Sequence, residues 1–425
     1  MAGRRLGLRL ETAERRQIGF QQSSLDDLID GSHRVREVWE YVEGLDLSPL
    51  YDRVRTTEQA SGRPAIDPAI LVALWLYATL EGIGSARLLD RLCKSDLAYL
   101  WLLGGVSVNY HTLADFRTAA GQFLDDLLTA SLTGLIAEGA VEVSTLAVDG
   151  MKMQSLASGR SFRSAGRLAE LRRAAVQTVA KLRKELEEDP GAAERRIKAR
   201  RLAVAEDRAR RLKRAHSTVG KIEREREDQA DKQRRQKRRS VPPRGSTSDP
   251  QARIMKMGDG SFRPAYNVQI KTAPQAGGLV LGVSVTDRGN DYGLLKPAIE
   301  EIEDRYGIRP DRTLADGGYL SKADLEALQE RGIELFCPLP RNARSDPALP
   351  RKEDGPGTRA WRARMASEHG QAIYRRRFAT ERVHAHMRNH GLRRLVVCGI
   401  EKAKAAVLWH VHAFNFLQFK RLNLI

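Results

Sequence analysis

Cysteine is scarce in this chain: Cys93, Cys337 and Cys398 are scattered and odd in number, which excludes a disulfide framework and a Cys-based zinc site as organising principles. Long apolar runs are also missing. The longest, Ala69 to Leu80, is 12 residues, where a bilayer span needs about 20, so it reads as a buried core helix and no membrane role is expected. The N-terminus, MAGRRLGLRLETAERRQ, is basic but has neither an apolar stretch of signal-peptide length nor a small-residue cleavage site, so the expected location is cytoplasmic. Acidic residues are in deficit. Lys+Arg 72 against Asp+Glu 54 leaves a net charge of +18, which favours a polyanionic partner, most simply nucleic acid.

With 425 residues, two or three domains are expected. Much of the charge lies in one segment: Arg160 to Arg239 holds 27 basic and 13 acidic residues, a net +14. Its apolar positions Leu168, Leu171, Ala175, Val179, Leu182 and Leu186 step by three and four, the narrow stripe of a coiled-coil-like helix. Asp189-Pro190-Gly191 breaks it, and Leu212, Ala215, Val219 and Ile222 repeat the pattern, so an antiparallel helical hairpin is expected. It runs into a basic loop, QKRRSVPPRGSTS. Two readings stay open: a solvated helical face, or an arm that lies along DNA phosphates or a partner subunit.

Residues 25 to 137 read as all-helical. Asp67 and Pro68 form an N-cap and N1 pair, Gly82 and Gly84 end that helix, Ser85 caps a short one through Arg91, and Thr112 with Asp115 resembles a capping box opening a third, long helix. Short helices ahead of an α/β region suit a DNA-reading module as well as a plain bundle. Beyond them, Thr145 to Val148 reads as a strand ending at Asp149, and Ala265 to Lys271 with Leu279 to Val285 as a hairpin. Helices over Asp291 to Tyr306 and Ser321 to Glu330 alternate with strands at Arg312 to Ala315 and Gly332 to Phe336, before a long helical stretch from about Thr358 to Asn389. That order is the one of an α/β, ribonuclease H-like core with a mixed five-stranded sheet. The expected division is a helical DNA-binding domain at 1–137, a first piece of the core at 138–159, the basic insertion and loop at 160–248, and the rest of the core with C-terminal helices at 249–425.

An acidic residue just past a strand end is positioned by a rigid sheet and faces the side where open α/β sheets hold their ligands. Asp149 in AVDG and Asp316 in LADGGY both fit, and the glycines beside them let a phosphate backbone approach. Singly, each is equally a turn former. On the C-terminal helix, Tyr374, Arg377, Glu381 and Arg388 are offset so that all fall within a stripe about 60° wide. An aromatic, two guanidiniums and a carboxylate are expensive to bury unpaired, although a surface Arg377–Glu381 pair would account for two of them. Asp291 opens a helix and is expected to cap it. His111, His384, His386, His390, His410 and His412 are assigned to packing or surface positions, and Asn415 to a structural one.

AVDGMKMQSLAS, FRPAYNVQ, LADGGY and Y-x2-R-x3-E-x6-R together resemble the DDE transposases of bacterial insertion sequences that carry a Tyr-Arg-Glu-Lys signature helix. The segment GRPAIDPAILVALWLYATLEGIGSARLLDRL with HTLADFR is similar to the helical N-terminal domain of that group, so the resemblance runs from about residue 30 to residue 418. The signature's last position is Arg388 in place of the usual Lys, a planar fork in place of a point charge. The resemblance implies a DNA endonuclease and strand transferase that cuts at element ends and joins them to target DNA, with water and then a DNA 3′-hydroxyl as nucleophile. It implies Asp149, Asp316 and Glu381 as catalytic residues and ligands of two Mg²⁺ ions, replaceable by Mn²⁺, as in-line displacement at phosphorus requires. Charge and position make Lys152, Tyr374, Arg377 and Arg388 the expected DNA contacts, and the resemblance implies double-stranded DNA as partner, a homodimer or higher oligomer on DNA, and a cytoplasmic, nucleoid-associated location. Two alternatives remain: a silent DNA-binding relative, or a nuclease or resolvase with the same metal site and no joining activity.

Overall fold

The computed structural model describes residues 24–54, 64–188, 192–232, 242–340 and 346–425. It opens with helices α1 (Arg34–Glu43), α2 (Ser48–Tyr51), α3 (Pro68–Leu80), α4 (Ala86–Leu92), α5 (Leu97–Leu103), α6 (Tyr110–Ala119) and α7 (Gly121–Ala137). The long apolar run is indeed a core helix: twelve residues of α3 are buried, and Asp67 caps it by accepting from the Ala69 N–H. Ser85 caps α4 as expected. The third helix differs. Asn109, not Thr112, caps it, accepting from the N–H groups of His111 and Thr112, and the long element is split at Ala120 into α6 and α7. A Cβ on Gly121 would stand 3.0 Å from that of Ala405, so a glycine here lets this helix pass close to the C-terminal one.

Next comes strand β1 (Thr145–Gln154). A short ladder of β2 (Phe162–Ser164) and β3 (Arg244–Ser246) closes the base of a hairpin made of α8 (Ala165–Glu188) and α9 (Ala192–Lys232). Leu168 and Ala175 pack on Leu212, Ala215 and Val219, the expected seam. The expected break at Asp189-Pro190-Gly191 and the first part of the basic loop, residues 236–241, lie outside the described residues, and the loop's later part contains β3. Arg253 ties the hairpin down by pairing with both Glu225 and Asp287.

The core continues with β4 (Arg253–Lys256), β5 (Phe262–Ala273), β6 (Leu279–Thr286), α10 (Leu295–Tyr306), β7 (Arg312–Leu314), α11 (Lys322–Glu330), β8 (Glu334–Phe336), α12 (Pro356–Ala366), α13 (Glu368–Arg375), α14 (Phe378–Asn389) and α15 (Ile400–Arg421). The sheet has six strands, β4 being one more than the sequence pattern indicates. β6 and β4 share one edge of β5, followed by β1, β7 and β8, with β5 antiparallel to β1 and β7 and β8 parallel to it. This mixed sheet, covered by helices, is consistent with a ribonuclease H-like core.

α15 is buried along nearly its whole length, packing on α3, α6 and α7 as well as on β6. Asn415 pins it there, accepting from the Val280 N–H and donating to the Val280 carbonyl. A charged chain adds to the join: buried Lys271 donates to Glu301 at 2.5 Å, Glu301 pairs with Arg305, and Asp125 of α7 takes Arg305 at 2.7 Å and Lys404 at 2.6 Å. Each buried charge thus has a partner, without which it would be strongly destabilising. Among the described residues no helix is long and apolar enough to cross a membrane.

Candidate active site

β1 does not stop at Asp149. It continues to Gln154 because its far half pairs with β5 from Ala147 to Gln154, and Met151 and Met153 alternate into the core. β7 accompanies only its first residues, in the register Thr145 to Arg312 and Ala147 to Leu314. Extending that register two positions brings Asp149 beside Asp316 at the level where β7 has left the sheet. Asp316 sits in the exposed turn after β7, its carboxylate accepting from the Gly318 N–H at 2.8 Å. Asp149 is buried, 8% exposed.

The third acid arrives on a different kind of support. The expected long C-terminal helix is three helices, so Tyr374, Arg377, Glu381 and Arg388 do not share one straight stripe. Tyr374 lies in the last turn of α13, Arg377 occupies the turn before α14, and Glu381 and Arg388 lie on α14. Ser367 starts a new helix after α12 by accepting from Gly370 N–H, and a Cβ on Gly370 would collide with the Arg364 carbonyl. The second break presents Arg377 to the site. Its guanidinium spans Asp149 at 2.9 Å and Glu381 at 2.7 Å and lies 5.8 Å from the centre of the Tyr374 ring.

Asp291 is corrected in role. α10 begins at Leu295 with no side-chain cap. The Asp291 carboxylate instead lies over β5, accepting from Asn267 and Gln269 at 2.7 Å each, because a glycine at 150 leaves the space: a Cβ there would stand 2.4 Å from Asp291 Oδ1. Asp291 and Asp316 also both border Gly318. Tyr319, buried beneath, donates to Gln269. Asn267, Gln269 and Tyr319 escaped the sequence reading. The available signal was the alternation of Asn267, Gln269 and Lys271 through an otherwise apolar strand.

Burial pushes the Asp149 carboxyl up to about 6, with Asp316 and Asp291 adding to the rise and Arg377 opposing it. His384 stands 3.7 Å from Asp149 and is held neutral, lowered to about 4 by burial and by Arg388 and Arg377. Lys152 does not reach the Asp149 side of the strand; alternation puts it on the opposite face with Gly150, paired across to Asn267. Arg388, two turns beyond Glu381, is exposed with no carboxylate partner among the described residues. Among those residues no three acidic, His or Cys side chains are arranged to hold a metal: Arg377 takes up the charge of Asp149 and Glu381, and Glu381 leans out to solvent.

A mixed sheet covered by helices, with acids close together beside a guanidinium, is consistent with a ribonuclease H-like core. Comparison with known families narrows it. The family described as Transposase DDE domain matches residues 229–416, and that described as Transposase domain (DUF772) matches residues 23–119. Together they support an insertion-sequence transposase. Asp316, Tyr374, Arg377, Glu381 and Arg388 fall inside the first match, whereas Asp149 and Lys152 lie between the two, ahead of the hairpin. No curated protein and no solved structure matches the chain.

Proposed function

We propose that the chain is a DNA transposase that cuts at the ends of its element and joins them to target DNA, with Asp149, Asp316 and Glu381 as the catalytic carboxylates. The observation that carries this reading is the closeness of Asp149 on β1 to Asp316 just past the end of β7, each feeling the other's charge, with Glu381 linked to Asp149 through one guanidinium.

The donor set fits a hard divalent cation, because it consists of carboxylate oxygens and a positive group already sits between two of them. When bound at Asp149, Asp316 and Glu381, Mg²⁺ or Mn²⁺ would supply Lewis-acid polarisation of the phosphodiester and neutralisation of its charge. The rest is done by the chain. Asp149 is fixed by the sheet and oriented by Arg377. Asp291, held by Asn267 and Gln269, adds negative potential that favours a cation. Arg377 exchanges its carboxylates for a DNA phosphate, which releases Glu381 toward Asp149 and Asp316. Arg388 and Tyr374 take flanking phosphates, Tyr374 as hydrogen-bond donor, and Lys152 holds the strand running over the opposite face of β1. Joining two ends calls for at least two copies on the DNA.

The test is nicking of end-containing duplex with Mg²⁺. Asp149→Ala, Asp316→Ala and Glu381→Ala are each expected to abolish cleavage while DNA binding persists. Near-normal nicking by any one of them would remove that residue from the assignment.

A further inference from the structure

A cleft of about 390 Å³ opens between the N-terminal helices and the segment that follows α14. Trp75, Tyr110, His410 and three arginines, Arg87, Arg117 and Arg394, line it, and among the described residues no carboxylate does. The arginines are stiffened: Arg87 lies 5.1 Å from the centre of the Tyr110 ring, Arg117 lies 4.9 Å from that of Trp75, and Arg394 is tied to the carbonyls of Ser155 and Leu156. None of the three has an ion-pair partner among the described residues. Two buried polar atoms are also left without a hydrogen-bond partner, Arg117 Nε and Nδ1 of His410, which is itself 9% exposed. Convergent cationic groups without counter-charge, on rigid aromatic supports, are the arrangement an anion completes.

We infer that this cleft is a phosphate clamp for the DNA backbone, resting on the transposase reading above. The bound group is a phosphodiester because the wall that carries Arg394 is built on the strand that carries Asp149: Leu395 donates its N–H to the Gln154 carbonyl, and Gln154 and Arg394 form a bridge. From Asp149 to Ser155 is about 20 Å of extended strand at roughly 3.3 Å per residue, equal to about six base pairs of B-form duplex at 3.4 Å each. DNA lying across the acidic cluster therefore passes the cleft about half a turn away, where the N-terminal helices share its grip through Arg87 and Arg117.

The test uses the full-length chain and a duplex of mixed sequence, with binding followed by fluorescence anisotropy across a salt series. Arg87→Ala and Arg394→Ala, both exposed positions, are each expected to weaken binding roughly tenfold and to lower the slope of log K against log salt by about 0.9 per lost phosphate. Arg117→Lys is the control at the half-buried position: it keeps the charge, and is expected to weaken binding less than Arg87→Ala. A neutral methylphosphonate placed four to eight nucleotides from the cut should abolish the difference between wild type and Arg394→Ala at one position. Unchanged salt slopes in both alanine variants would overturn the clamp, even if inorganic phosphate were found to bind in the cleft. Failure of the unaltered chain to bind duplex at any salt would remove the transposase reading and the clamp together.

Discussion

The two halves of the candidate site are built in opposite ways. Asp149 is embedded in a strand paired with β5 along this stretch and is nearly inaccessible, so its position is set by the sheet before any ligand arrives. Glu381 rides on a twelve-residue helix behind a turn, its side chain 46% exposed and, among the described residues, held by Arg377 alone. A rigid sheet places a carboxylate once. A helix after a hinge-like turn can be re-aimed, so the DNA-free chain can keep the third acid engaged with an internal cation.

This difference can be broken by substitution. The largest effects are expected from acids on either half: Asp149→Asn and Glu381→Gln should both lose Mg²⁺-dependent nicking, yet only changes at 149 should touch the fold. Asp149→Glu, which adds a methylene to a packed strand, is expected to cost about 1–3 kcal/mol in chemical denaturation, while Glu381→Gln should stay within about 0.5 kcal/mol of wild type. Equal destabilisation at both positions would erase the distinction between halves. Arg377→Gln comes next. In the absence of DNA it is expected to raise Mn²⁺ affinity measured by calorimetry while lowering cleavage; weaker metal binding would mean that Arg377 supports the site as a scaffold and does not compete with the cation. Asp291→Asn keeps the shape and removes one charge, and a loss of roughly 10-fold in cleavage is expected of such a supporting group; unchanged cleavage would confine Asp291 to architecture.

The smallest effect concerns pH. Burial lowers His386 from 6.5 to about 4 and His410 to about 3. A base with a depressed folded pKa stabilises the fold fully above its unfolded pKa, and that contribution is lost as pH falls through 6.5 toward 4. The thermal midpoint should therefore drop over that window, and His386→Phe, beside Phe414, should blunt the drop by on the order of 1 kcal/mol. A drop of the same size in that variant would place its origin elsewhere.

The same contrast explains what could be read from the chain. The placing of Asp149 and Asp316 close to strand ends was legible because Asp-Gly after a β-branched or apolar run is a local signal, and the order of elements along the chain follows from their alternation. The run past Asp149 to Gln154 was not legible as strand, since its pairing with β5 joins residues more than a hundred positions apart. The broken C-terminal helix was hidden for a related reason. Nothing in Tyr374 to Arg388 carries a helix breaker, and the turn at Arg377 forms where a buried carboxylate from another element draws the guanidinium in. Asp291 looked like a cap because capping is a local rule. Its actual partners, Asn267 and Gln269, come from β5.

Crystals of the full chain on end-containing DNA, soaked with Mn²⁺ and measured for anomalous scattering, test the central claim most directly. The account predicts manganese peaks within about 2.0–2.6 Å of the Asp149, Asp316 and Glu381 carboxylates, with Arg377 moved onto a phosphate. Manganese absent from that position, with Arg377 still bridging Asp149 and Glu381 on bound DNA, would contradict it.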